Sequence, residues 1–270
     1  MLRTLKSAVF AAVEQAIGNE ASIAIAFSGG LDSSLLARVC KDFGIDVTLL
    51  TVGFSASHDI FFSREIASMM NIPHKILNLD RECLQKDIDL ICNKVKCNIT
   101  SHIENCIGFF YIGKFAHSNG YRTVLTANGC DELFCGYDKF RSAYNKGIAG
   151  LMKLMEEKIE DELVLMQEIS GLAKEFGVRV KHPFLSPAFI SFAKGIPVDQ
   201  KINGPNDLMR KHILRQLAVS MKVPHKSAMQ RKKALQYSSL IHSNFCKLYR
   251  ESGSVSNRSH QATVFTRQKL

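Results

Sequence analysis

Nowhere in the 270 residues do apolar side chains run uninterrupted across a bilayer's thickness; a spanning helix needs roughly 18 or more in a row. A membrane-spanning helix is therefore excluded, and the first residues lack the charged-then-apolar pattern of a secretory signal. No internal repeat is visible. The eight cysteines fall at irregular spacing in a long chain, which argues against a disulfide framework and for reduced thiols. These absences lead to the expectation of a cytoplasmic protein without membrane contact. What remains is 46% apolar, enough to core one large domain or two small ones.

Metal-binding patterns are also scarce. The nine histidines form no ligand-spaced set, and His182 and His212 read as packed or helix-surface residues. Cys92 and Cys97 are separated by four residues, as are Cys130 and Cys135, which lies within the spacing of zinc ligand pairs. Cysteine is also a common small buried residue, and burial is the preferred reading for all four.

Acidic residues are missing from one stretch altogether. Residues 208–250 hold ten Lys or Arg and no Asp or Glu, so this segment accounts for the whole formal charge of +10. A phosphate clamp would use such cations against charge that develops on a leaving group. A nucleic-acid surface would also need them but usually adds exposed aromatics or a reading element, and only Tyr237, Phe245 and Tyr249 accompany the charge here. Some of these side chains belong on a solvated helix face in either case.

A lysine is absent where a Walker loop would need one. Residues 28–34 read Ser-Gly-Gly-Leu-Asp-Ser-Ser, between the apolar run Ile23–Phe27 and the helix-periodic stretch from Leu35. Glycines let the backbone approach a ligand, the following helix offers unpaired N–H groups to an anion, and Ser28, Ser33 and Ser34 add hydroxyls. Asp32 would repel phosphate unless a cation lies between them, and Mg²⁺ is the oxygen-preferring cation that fits. The turn thus reads as a site for Mg²⁺-nucleotide. The plainer alternative is that Gly-Gly closes a tight turn and Ser-x-Asp caps the helix.

Strand and helix signals alternate along the first half: helix 3–17, strand 22–27, helix 33–43, strand 46–52, helix 59–70, strand 75–79, helices 81–94 and 103–118, strand 122–126. That alternation predicts an α/β, doubly wound parallel sheet with helices on both faces and a ligand at the carboxyl ends of the strands. Beyond about residue 140 the β run ends and helices are expected at 148–169, 187–194, 207–221 and 236–248. The expected organisation is one domain over 1–250, with a sheet core about 20–140 and a helical part about 141–250. A flexible tail is expected over 251–270, rich in Ser, Asn, Gln and Arg.

A second motif, Leu125-Thr126-Ala127-Asn128-Gly129-Cys130-Asp131-Glu132-Leu133-Phe134-Cys135-Gly136-Tyr137, stands far downstream of the first. Together the two motifs resemble the synthetase domain of the asparagine synthetases, within the Ser-Gly-Gly-x-Asp-Ser ATP pyrophosphatases. Thr51-Val52-Gly53, His182-Pro183-Phe184-Leu185, Arg210-Lys211-His212-Ile213-Leu214-Arg215 and Arg231-Lys232-Lys233 extend the resemblance over about residues 20–240. It implies an adenine nucleotide alpha hydrolase-like fold and cleavage of ATP between its α and β phosphates. Asp32 and Asp131 would hold Mg²⁺. Ser28, Gly29, Gly30, Ser33 and Ser34 would cradle pyrophosphate, and Phe27, Val52, Thr126, Ala127 and Gly129 would line the ATP site. Lys232 would stabilise the departing pyrophosphate, with Lys233 and Arg231 as near alternatives.

Two departures stand out. Asn128 occupies a position that is acidic in the family, and a neutral amide can neither accept a proton nor attract ammonium. Ala127 replaces a usual glycine. In addition, no nucleophilic cysteine follows Met1 and the first strand begins after about twenty residues. The expectation is therefore that glutamine is not hydrolysed here and that nitrogen comes from ammonia, an amine or a separate glutaminase subunit. Three functions follow. The first is an ATP-dependent ligase that adenylates a small-molecule carboxylate such as aspartate and transfers an amine. The second is a tRNA base-modifying enzyme of the same superfamily, and the third a nucleotide-binding subunit that has lost amidation.

Overall fold

The computed structural model describes residues 1–231 and 234–251. The first half alternates as α1 (Leu2–Ile17), β1 (Ser22–Ala26), α2 (Leu31–Asp42), β2 (Asp46–Phe54), α3 (His58–Met70), β3 (His74–Leu79), α4 (Arg81–Lys94), α5 (Thr100–Ser118) and β4 (Thr123–Leu125). There follow α6 (Cys130–Leu133), α7 (Asp138–Tyr144), the long α8 (Gly147–Lys174), β5 (Arg179–Lys181) and α9 (Pro187–Lys194). The described chain ends with α10 (His212–Ser220), α11 (His225–Ala228), α12 (Leu235–Ser238) and α13 (Ile241–Glu251).

The strands lie in the order β3-β2-β1-β4-β5, and every neighbouring pair is parallel. Successive side chains alternate between two apolar layers, because strand residues point to opposite faces. Ile23, Ile25, Val47, Leu49 and Leu125 join α1 and α2 on one side; Ala24, Leu50, Val52, Phe54 and Val124 join α4, α5 and α8 on the other. Burial on both faces explains the near-continuous apolar runs of β1 and β2. The strand order reverses between β1 and β4, which opens a crevice beyond their carboxyl ends. Both sequence motifs begin there.

Several boundaries differ from expectation. The β run does not end near residue 140, because β5 pairs with β4 through Thr123–Arg179, Val124–Val180 and Leu125–Lys181; three residues are too short to display strand alternation. The helix expected at 207–221 starts only at His212. Before it, the Asp207 carboxylate accepts the backbone N–H groups of Asn203, Met209 and Arg210, and Arg210 and Lys211 take left-handed φ values of 49° and 53°. The helix expected at 236–248 is split into α12 and α13 by Leu240, at φ 65°. Of the tail expected over 251–270, Glu251 closes α13 and residues 252–270 lie outside the described residues. Among the described residues no helix is long and apolar enough to cross a membrane.

Candidate functional site

The turn between β1 and α2 can be built only with glycine at position 29. Gly29 has φ 76°, and a Cβ there would stand 3.0 Å from Phe62 Cδ1 and 3.1 Å from Ser63 Cα. The Ser34 hydroxyl donates to the Gly29 carbonyl at 3.2 Å, and Ser34 is fully buried. The Gly29 carbonyl and the Ser34 hydroxyl are thus bonded to each other, and neither residue lines the cavity in front of the turn. Gly30 is the N-cap of α2 and no side chain caps the helix. The capping alternative fails, and the first-turn N–H groups remain available to an anion.

A cavity of about 1050 Å³ opens in front of this turn, room for a nucleotide and a second substrate. Phe27, Ser28, Gly30, Asp32, Ser33 and Val52 line it from the first half. Thr126, Ala127, Asn128, Gly129 and Asp131 line it from the second motif. Thr51, named in the sequence only as part of the resemblance and given no site role there, also lines it, and its hydroxyl joins Phe27 O at 2.6 Å to His74 Nε2 at 2.8 Å. Burial pushes the His74 imidazole down to about 4, so the ring is neutral near pH 7, and since the hydroxyl proton goes to Phe27 O the ring Nε2–H donates to Thr51 Oγ1.

The second motif is equally constrained. Thr126 Oγ1 lies 2.7 Å from His182 Nδ1, and burial pushes this imidazole down to about 4 as well. Gly129 has φ 99°, and a Cβ there would meet Leu185 Cδ2 at 2.8 Å. The one-turn helix α6 then aims Asp131 inward. Gly136 leaves the space Asp131 needs, since a Cβ at that position would overlap the Asp131 carboxylate and crowd Lys211 Cε.

Asp32 and Asp131 converge, as expected, and between them stands a residue not assigned a role from sequence. Lys211 Nζ is 2.6 Å from Asp32 Oδ2 and 2.6 Å from Asp131 Oδ1, with side-chain exposures of 4%, 19% and 9% for Lys211, Asp32 and Asp131. Burial opposes the ammonium, but the two carboxylates outweigh it and hold the lysine above its ordinary range. The left-handed backbone at Arg210 and Lys211 is what turns this side chain into the crevice. Such residues cost about 1–2 kcal/mol each. The Asp207 turn and the Arg210 guanidinium, bonded to Gly136 O at 3.1 Å and to Asp138 at 2.8 Å, hold the conformation.

The residues fit a hard divalent cation. Two carboxylates from separate loops meet at one point beside an anion-accepting turn, and Asp32 Oδ1 is buried with no hydrogen-bond partner, the donor set that Mg²⁺ uses.

Asn128 is not isolated from negative charge. Its side-chain amide donates to Glu162 Oε1 at 2.7 Å, and Glu162, from the middle of α8, also lines the cavity. Glu132 stands beside them and accepts the Tyr137 hydroxyl. Burial, then repulsion from Glu162 and Asp131, pushes the Glu132 carboxyl up to about 8. A buried acidic group next to position 128 was invisible in sequence, because α8 shows only helical periodicity.

The cationic segment divides by burial. Arg210, Lys211 and Arg215 are turned inward at 4%, 3% and 5% exposure, so they belong to the site and not to a nucleic-acid surface. Arg215 donates to the carbonyls of Met209, Arg210, Ala228 and Gln230. It thereby ties the Lys211 turn to the segment leading to residue 231. Lys232 and Lys233 lie outside the described residues; on either side of them, Arg231 and Ala234 line the cavity. The four cysteines considered as a zinc set do not meet, because Cys130 and Cys135 pack in one apolar layer and Cys92 and Cys97 in the other.

The asparagine synthase family profile matches residues 4–176 and 162–270. A relative from Methanocaldococcus jannaschii is 24% identical over 281 residues, spanning 92% of this chain and 51% of that protein. The glutamine-hydrolysing asparagine synthetase of Rattus norvegicus is 27% identical over 215 residues, 76% of this chain and 37% of its own length. The chain thus spans about half the length, or less, of these curated relatives. Among solved structures, NMN synthetase from Francisella tularensis aligns with a TM-score of 0.49 at 13% identity, over 97% of this chain and 90% of that one. On the strength of the profile match across its length, the chain belongs to the asparagine synthase family.

Proposed function

We propose that this chain is an ATP-dependent carbon–nitrogen ligase that adenylates a small carboxylate, aspartate or a related acid, and passes the acyl group to ammonia or an amine. The observation that carries the reading is the meeting of Asp32 and Asp131 at one point, each 2.6 Å from Lys211 Nζ, at the floor of a cavity lined by the Ser28–Ser33 turn. In the first step a substrate carboxylate oxygen bonds to the α-phosphorus and the bond to the bridging oxygen breaks, releasing pyrophosphate. In the second, the nitrogen lone pair bonds to the acyl carbon, AMP leaves and the nitrogen loses a proton.

The α2 N-terminus, Ser28 and Ser33 receive the phosphates, and the strand ends at Phe27, Val52 and Thr126–Gly129 receive the adenosine. Asp32 and Asp131 would hold Mg²⁺, which when bound neutralises charge on the phosphates. Lys211, 2.6 Å from each, keeps these carboxylates together before ATP arrives. Lys232 accompanies the leaving pyrophosphate. Asn128 cannot take a proton from the incoming nitrogen, but Glu162, bonded to it at 2.7 Å, supplies a carboxylate at that place, and we assign it the role of proton acceptor. Nitrogen would come as free ammonia, an amine substrate, or ammonia from a separate glutaminase subunit.

ATP–pyrophosphate exchange, measured with each candidate carboxylate and with bulk tRNA, tests the proposal. Exchange stimulated by aspartate or a related acid supports the ligase. Stimulation by tRNA alone transfers the reading to base modification, and no exchange despite intact ATP binding transfers it to a nucleotide-binding subunit.

A further inference from the structure

On the far side of the cavity, α5 carries His102 and Cys106 one turn apart, on one helical face. Helix α8 packs alongside with Glu168. A ring nitrogen of His102, the Cys106 sulfur and a Glu168 oxygen all lie within 4.8 Å of one another. His102 Nε2 is 2.8 Å from Glu168 Oε2, while Glu168 Oε1 accepts the Lys96 backbone N–H at 3.0 Å. That second bond fixes the carboxylate's orientation, as outer contacts do at metal centres. Cys106 has no exposed surface, and the His102 and Glu168 side chains are 11% and 13% exposed. His102 also lines the cavity, so the cluster opens toward it on that side.

We propose that this cluster binds a zinc-class divalent ion through Cys106 Sγ, His102 Nε2 and Glu168 Oε2, with water in the fourth position of a tetrahedral set. Sulfur, imidazole and carboxylate together select zinc over magnesium, because thiolate is a soft ligand and magnesium favours oxygen alone. In a tetrahedral site with Zn–N and Zn–O near 2.0 Å and Zn–S near 2.3 Å, these ligand atoms stand about 3.3–3.5 Å apart. Starting within 4.8 Å, the sulfur closes by at most roughly 1.3 Å, and the His102–Glu168 pair opens by about half an ångström to admit the ion. Binding expels the Cys106 thiol proton to solvent as the thiolate takes the metal. The ion would clamp α5 to α8 and, through the Lys96 N–H on Glu168, to the 95–99 segment. It is separate from the Asp32–Asp131 point and independent of the proposed reaction.

A second grouping, Glu104, His242 and Cys246, serves as the control, because its histidine side chain is 38% exposed against 11% for His102 and is less fixed in place. The experiment is metal analysis of the purified full chain after dialysis against trace Zn²⁺, in the unaltered protein and in Cys106→Ser, His102→Gln and Cys246→Ser. The expected result is one zinc per chain, lost in the first two variants and retained in Cys246→Ser. Should Cys106→Ser fail to fold, Co²⁺ loaded into Cys246→Ser decides the matter through the thiolate-to-cobalt charge-transfer band and the intense visible bands of tetrahedral cobalt. A chain without stoichiometric zinc, zinc unaffected by His102→Gln or Cys106→Ser, or cobalt spectra without the thiolate band overturn the proposal. Zinc lost only in Cys246→Ser also overturns it.

Discussion

Replacing Lys211 by methionine isolates what the buried ammonium does. At 2.6 Å from each carboxylate and an effective dielectric near 20, each attraction is worth roughly 6 kcal/mol before desolvation. Taking the three groups out of water offsets much of this, and removing one partner of such a buried set typically costs 3–5 kcal/mol because the remaining charge is uncompensated. Methionine keeps the stem's volume, so the loss is electrostatic and not a cavity. Lys211→Met should therefore lower the unfolding free energy by about 3–5 kcal/mol in EDTA, read from urea denaturation at pH 7. Adding Asp32→Asn should relieve part of that loss, with a coupling of about 2 kcal/mol in the double-mutant cycle. A loss below about 1 kcal/mol, or strict additivity, would refute the idea that Lys211 holds the two aspartates together.

Further outcomes are expected. Lys232→Ala should abolish exchange while ATP binding stays within roughly tenfold, because its charge matters most as the leaving group separates; unchanged turnover removes Lys232 from the mechanism. Glu162→Gln should leave exchange nearly intact and slow amide formation by about 10²-fold or more, and equal losses in both steps would place Glu162 elsewhere in the reaction. His74 and His182 are held down to about 4 by burial, below the ordinary value near 6.5. The folded state then binds fewer protons than the unfolded chain between these values, so stability is full above about pH 6.5 and is lost as pH falls toward 4. By pH 5 each histidine should cost about 2 kcal/mol, and His182→Gln should shrink the difference between denaturation at pH 7 and pH 5; an unchanged difference contradicts the assignment.

Much of the first half of the fold was legible in sequence because its determinants are local. The Ser28–Ser34 turn, the alternating elements and the Asp131 motif each lie within a few residues, and local pattern is what periodicity and turn chemistry report. What was not legible depends on backbone or side chains arriving from a distance. Lys211 sits 179 positions from Asp32, and its aim depends on the Asp207 turn and two left-handed residues inside what reads as continuous helix. Glu162 is one carboxylate among several on α8, and nothing in its spacing marks it as the neighbour of Asn128. Strand β5 is too short to alternate. That the Ser34 hydroxyl turns back onto the Gly29 carbonyl, while Ser28 and Ser33 line the cavity, is settled by packing against Phe62 and Ser63, which the motif's spelling does not carry.

The central claim is that Asp32 and Asp131 jointly receive the magnesium of one bound nucleotide. Calorimetric titration of ATP, with Mg²⁺ and with EDTA, into the unaltered chain and into Asp131→Asn tests it most directly. Saturable one-to-one uptake that requires Mg²⁺ and is weakened at least tenfold in the variant, about 1.4 kcal/mol, is the expected result. No uptake by the unaltered chain, or uptake indifferent to both Mg²⁺ and Asp131, would contradict it.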